Sequence, residues 1–228
     1  MKYQNSRKLQ NASNDLRFLL NRGYRKVMAI DFVGNHYLLN KKERNFLNRT
    51  VFSQAKSRSR KSKVIPICKI KGNTLLIDGY NILITIESIC SNEDSLIISD
   101  DGVMRDVNAV FGKYKFKEIT ENALNAIVSL IRVYQPKDVK VFYDKPVSYS
   151  GKLAKLTGRI MENHGIIGNA ETAVNVDYQL IKLYHKTSGV VATSDGIIMD
   201  KVDYILDIPC YIYKIKKKNL SLSKFIIN

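Results

Sequence analysis

Apolar positions along this chain follow two different periods. Up to about residue 52 they fall at helical spacing: Leu16, Leu19 and Leu20 ahead of Gly23, then Val27, Ile30 and Val33 ahead of Gly34. Asn40 with Glu43 forms a capping-box pattern before Phe46, Leu47 and Val51, so three short helices are predicted there. From Asn73 onward, short apolar runs alternate with amphipathic stretches, the signature of a parallel α/β sheet. The predicted strands are Thr74–Ile77, Ser95–Ser99, Val139–Tyr143, Gly189–Thr193 and a weaker one at Tyr211–Ile215. Helices are predicted near Ile82–Cys90, Thr120–Tyr134, Gly151–Asn163 and Glu171–His185; in the second, Leu124, Ile127, Leu130 and Ile131 share one face, which should pack on the sheet.

Charge divides the chain more sharply than hydropathy does. The formal net charge is +16 over 228 residues, and residues 1–71 hold 18 basic against 3 acidic residues, whereas 72–228 hold 19 against 18. Such a field favours a polyanionic partner, nucleic acid above all. The run SQAKSRSRKSK (Ser53–Lys63) lacks an apolar period and should repel itself into an extended linker. The expected organisation is a basic helical domain over 1–52, a linker over 53–72 and an α/β domain over 73–228.

A composition of 45% hydrophobic and 25% charged residues is that of a globular protein, and three scattered cysteines form neither a disulfide framework nor a zinc ribbon. A reducing, cytoplasmic setting is expected. With no apolar leader and no long apolar window, no membrane partner is expected either. Walker A and dinucleotide-binding loops are absent, so no small-molecule cofactor is expected.

The chemistry lies in where the acids fall. Asp78, the pair Asp100 and Asp101, Asp144 and Asp195 each follow a predicted strand directly, at the edge of a parallel sheet where sites form. One such aspartate is ordinarily a helix N-cap. Several from strands about 4.8 Å apart repel one another unless a cation sits among them. Oxygen-only ligands favour Mg²⁺ or Mn²⁺ over zinc. Asp177, on the helix after Val174 and Val176, should enter the same site from the side, while Asp200, Asp203 and Asp207 read mainly as surface acids.

The ordered set LLIDGYNIL (Asp78, Asn81), VFYD (Asp144), VDYQLI (Asp177) and VATSDG (Asp195) resembles the acidic motifs of PIN and NYN nuclease domains. The RGY at Arg22–Tyr24 and the IDGYNILIT, FGKYKF and DKPVSYSGKLA runs are similar to an uncharacterised archaeal family, the domain-of-unknown-function-434 proteins, over nearly the whole chain. The first resemblance implies a PIN/NYN-like, Rossmann-like α/β domain acting as a metal-dependent RNA phosphodiesterase. It makes Asp78, Asp177 and Asp195 metal ligands, Asp144 a further acid, and Asn81 a residue that orients water or substrate.

Cations placed to reach RNA are Arg22, Arg25, Lys26, Lys41, Lys42, Arg44 and Arg49 in the helical segment. To these the FGKYKFK run adds Lys113 and Lys115, where aromatics alternate with lysines as in single-strand binders. An Mg²⁺- or Mn²⁺-dependent ribonuclease gripping RNA through its basic N-terminal domain is the leading expectation. A non-catalytic RNA-binding protein, ribosome- or tRNA-associated, and a structure-specific deoxyribonuclease are the alternatives that acids alone leave open. Oligomeric state is not legible.

Overall fold

The computed structural model describes residues 6–91, 95–108 and 114–218. In chain order the elements are α1 (Arg7–Asn21), α2 (Lys26–His36), α3 (Lys41–Thr50), α4 (Gln54–Lys61), a 3-10 turn (Ile67–Ile70), β1 (Thr74–Asp78), α5 (Gly79–Cys90), β2 (Leu96–Ile98) and β3 (Met104–Asp106). They continue as α6 (Ile119–Tyr134), β4 (Asp138–Asp144), α7 (Ser150–Asn163), β5 (Gly168–Ala173), α8 (Val176–Thr187), β6 (Val190–Ala192), α9 (Gly196–Met199), β7 (Ile205–Leu206) and α10 (Ile208–Lys217). The described residues form two compact units, 6–62 with 95–108 and 63–91 with 114–218.

In the first unit the expected helices form with their apolar faces inward. Leu9, Ala12 and Leu16 of α1 meet Ala29, Ile30 and Val33 of α2, and Phe46 and Leu47 of α3 close the core. The Asn40 side chain accepts from Glu43 N and Glu43 accepts from Asn40 N, the capping box read from the sequence.

Two expectations for this unit are corrected. The stretch expected to be an extended linker is helical at α4, capped by Ser53, and its Arg60 is buried. The strand expected at Ser95–Ser99 does not join the parallel sheet: β2 pairs antiparallel with β3 in a separate hairpin. The two corrected stretches meet at Asp101, in the turn of that hairpin.

Asp101 is fully buried and accepts from both Nη atoms of Arg105 at 2.6 and 2.9 Å, from Arg60 at 3.1 Å and from Ser99 Oγ at 2.9 Å. Asp100 accepts from Nε and Nη2 of Arg17 at 2.9 and 3.0 Å and from Phe52 N at 3.1 Å. Over the Phe52 ring stand Lys26, Arg60 and Arg105, at 3.8, 4.6 and 5.3 Å from its centroid. Part of the positive charge of residues 53–63 is offset within the unit, where Arg60 meets Asp101 some forty residues further along the chain.

The second unit holds a five-stranded sheet in the order β5-β4-β1-β6-β7, with every pair parallel. From β1 the chain steps outward to β4 and β5 on one side, then crosses back to β6 and β7 on the other. Right-handed crossovers send the helices of the two halves to opposite faces. Accordingly α5, α6, α7 and α10 pack in a group, and α8 lies over β1, β4, β5 and β6. Leu75, Leu76 and Ile77 of β1 are buried at the centre. Glu171–His185, expected to be one helix, is instead β5 followed by α8, and Tyr211–Ile215, expected to be a strand, lies within α10. No helix among the described residues is long and apolar enough to cross a membrane.

Asp101 supplies a test of the first unit. Burial raises its carboxyl pKa, but hydrogen bonds and charge from Arg105, with Ser99 and Arg60, outweigh burial and hold it below the ordinary value. A depressed pKa stabilises the fold above the unfolded-state value of about 4 and loses that contribution as pH falls through the folded value. Asp101→Asn should cost about 3–5 kcal/mol at pH 7, since it strands two buried guanidinium groups. Urea denaturation at pH 7 and pH 3 should show that cost shrinking at the lower pH.

Candidate functional site

A parallel sheet whose strand order reverses opens a crevice at the carboxyl ends of the two strands flanking the reversal. Here those strands are β1 and β6. Asp78 is the last residue of β1 and is 5% exposed; Thr193, Ser194 and Asp195 follow β6 directly. Thr193 Oγ1 donates to Asp78 Oδ2 at 2.7 Å and accepts from Asp195 N at 2.9 Å, so one hydroxyl fixes both aspartates. Asp195 Oδ1 also accepts from Ile197 N at 2.6 Å, capping α9. Asn81, buried in the first turn of α5, accepts through Oδ1 from Ser194 Oγ.

Gly79 permits the tight exit from β1. A Cβ there would stand 2.5 Å from the Tyr143 ring and 2.6 Å from Phe142 O, which is why no larger residue fits beside β4. Asp144 closes β4 on the other side of β1, and Asp177 comes from the first turn of α8, which lies over β1; both are half-buried.

Asp78 and Asp177 feel the other carboxylates of the crevice. Burial pushes the Asp78 carboxyl up to about 8; the Thr193 hydrogen bond opposes this, while Asp195, Asp177 and Asp144 raise it further. Asp177 is raised by burial and then by Asp195 and Asp144. Asp144 is raised by burial against its own backbone N–H. Beside them, Tyr80 packs its ring 5.0 Å from that of Tyr114 and 5.2 Å from that of Tyr143. Its buried hydroxyl has no hydrogen-bond partner among the described residues, and burial with the Asp144 charge pushes its pKa up to about 12.

The donor chemistry, carboxylate oxygen without His or Cys, fits a hard divalent cation. The spacing is wider than one coordination shell: among the described residues no group of three or more His, Cys, Asp or Glu side chains stands close enough to hold a metal ion.

The other expected residues are dispersed. Asp100 and Asp101, expected at this edge, are ion-paired inside the first unit. Asp203 accepts from Tyr184 OH and Asp207 caps α10. In the first unit, Arg22, Arg25, Lys41 and Lys42 are exposed, and Arg22 lies 4.5 Å above the Phe18 ring. Arg44 is a strut, donating to Leu39 O and Asn35 Oδ1, and Arg49 is half-buried. Lys26 donates to Asn48 O, and burial followed by repulsion from Arg60 and Arg105 lowers its pKa to about 7. Lys115 is exposed in the second unit, and Lys113 lies outside the described residues.

Thr193, Ser194 and Tyr80 lie within the acidic motifs of the sequence but were given no role there. The visible signal was two hydroxyls placed directly after a wholly apolar strand, where a buried polar side chain needs a partner.

The fold and the crevice define a parallel α/β domain with an acidic switch-point site, preceded by a helical unit. Residues 67–211 match the family model described as "Domain of unknown function (DUF5616)", and residues 8–63 the one described as "Protein of unknown function (DUF434)". The chain belongs to the DUF5616 family, with a DUF434 region at its N-terminal end; the resemblance expected over nearly the whole chain is confined to that region. An uncharacterized protein of Methanocaldococcus jannaschii, MJ0935, is 36% identical over 202 residues, spanning 88% of this chain and 94% of its own. No solved structure matches.

The Asp78 carboxyl predicts a pH effect of definite sign. Its folded pKa lies above the unfolded value of about 4, so its contribution to stability is complete below pH 4 and declines as pH rises to about 8. In EDTA, urea midpoints of the parent protein should fall across that window more steeply than those of Asp78→Asn. Parallel curves would show that Asp78 ionises normally.

Proposed function

We propose that the chain is a PIN/NYN-like endoribonuclease dependent on Mg²⁺ or Mn²⁺. The observation that carries this reading is the gathering of Asp78, Asp144, Asp177 and Asp195 around the β1–β6 crevice, where burial first, and then the charges of the other three, push the Asp78 carboxyl up to about 8. Asp78, Asp177 and Asp195 would have to draw closer than they stand here to hold the ion, which when bound would lower the pKa of its water and polarise a phosphoryl oxygen. Thr193 keeps the Asp78 and Asp195 ends of the crevice in register. Asn81, whose Oδ1 is taken by Ser194, keeps its amide hydrogens as donors toward water or substrate. Asp144 adds negative charge on the far side of β1. The exposed cations of the helical unit, Arg22, Arg25, Lys41 and Lys42, would supply contacts to phosphate.

The open spacing of the acids favours one second reading, an RNA-binding protein, ribosome- or tRNA-associated, that keeps this fold without cleaving.

Cleavage products separate the two. A water attacking phosphorus from outside expels the 3′-oxygen and needs no 2′-hydroxyl. Incubation with end-labelled RNA should give 5′-phosphate and 3′-hydroxyl ends, stop with EDTA and resume with Mn²⁺; a 2′-deoxy nucleotide at the cut should still be cleaved. Asp78→Asn and Asp195→Asn should each lower the rate by about a hundredfold or more. Cyclic phosphate ends, or cleavage that survives chelation, would overturn the proposal. RNA bound and left intact would favour the second reading.

A further inference from the structure

On the second unit, α7 carries Lys152, Lys155 and Arg159 at helical positions i, i+3 and i+7, all exposed, while Leu153, Ala154, Thr157, Ile160 and Met161 on its other face are buried. The three cations span about 10 Å along the helix. They line an open groove of about 670 Å³ together with Phe116, Gly151 and a single acid, Glu121. Lys152 Nζ stands 5.0 Å from the centroid of the Phe116 ring. None of the three cations makes an ion pair or a hydrogen bond among the described residues. In the first unit, by contrast, Arg17, Arg60 and Arg105 are spent on Asp100 and Asp101, although other cations there are exposed. The helix also opens a few residues past Asp144, at the carboxyl edge of the sheet where the acids gather.

We propose that this groove is the track along which a single strand of RNA leaves the acidic crevice. Lys152, Lys155 and Arg159 contact its successive phosphates, and the Phe116 ring offers a face to a base. Three unpaired cations without internal carboxylate partners match a polyanion. An aromatic ring set among them matches unstacked bases rather than the closed surface of a duplex. The groove lies in the same unit as the crevice, so strand and reacting phosphate are held by one rigid scaffold. The inference rests on the ribonuclease reading for the strand's direction of travel, but not for its binding.

The test uses the full chain and the triple variant Lys152→Gln, Lys155→Gln, Arg159→Gln, whose changes lie on an exposed helix face and leave the fold intact. Binding of a fluorescent single-stranded RNA is followed by anisotropy across a salt series, and the Mn²⁺-induced change in melting temperature is recorded in parallel. The variant should bind at least about tenfold more weakly at low salt. Its slope of log affinity against log salt should be shallower by about 2, as expected for three lost phosphate contacts on a single strand. Its Mn²⁺ response should equal that of the parent. Unchanged RNA affinity in the variant, no RNA affinity in the parent, or a duplex bound more tightly than the single strand would each overturn the track. If the parent shows no Mn²⁺ response while RNA binding depends on the three cations, the track stands and the metal-dependent reading falls.

Discussion

The arrangement of the second unit depends on one buried carboxyl. Asp78 sits at the end of the central strand, at the point where the sheet reverses its direction of growth, and among the described residues the Thr193 hydroxyl alone donates to its side chain. An acid in that position is costly in ionised form, and Asp144, Asp177 and Asp195 raise the cost. The local architecture follows from accommodating it. Gly79 lets the chain turn beside β4, Thr193 and Ser194 bind the ends of β1 and β6 together through Asp78 and Asn81, and Asp195 is used twice, as a helix cap and as a member of the crevice. A fold built only for stability would place an apolar residue at position 78.

The first unit treats charge in the opposite way. Its acids and bases are brought into contact and satisfied, with Asp101 buried among Arg60, Arg105 and Ser99 and Asp100 held by Arg17. Part of the basic excess that marks the N-terminal sequence is therefore structural. The family matches divide the chain near residue 65, yet the 95–108 hairpin, within the DUF5616 match, folds with the first unit. Sequence families and compact units do not share a boundary here because the ion pairs that join the hairpin to the helices cross it.

Much of this was legible in the sequence. The helices of the first unit followed from the spacing of Leu16, Val33 and Phe46 and from the Asn40–Glu43 box. Strands β1, β4 and β6 followed from short apolar runs that ended in Asp78, Asp144 and Asp195. What escaped notice did so for identifiable reasons. GNAETA in β5 is an edge strand with an exposed, polar pattern, so nothing marked it as a strand. The YIYKI alternation of α10 imitates a strand, although Asp207 as N-cap and Pro209 in the first turn are helix signals. Helix α4 was hidden by its run of like charges, one of which, Arg60, is paired with the distant Asp101.

The acids were legible as a set, their spacing was not, because sequence order says nothing about how far side chains stand apart around a crevice. The account rests on the claim that this crevice accepts a divalent ion. Anomalous diffraction from crystals of the full chain grown with Mn²⁺ measures that directly. A manganese peak bounded by the carboxylates of Asp78, Asp177 and Asp195 is the predicted result, and a map with no peak at the end of β1 would contradict it.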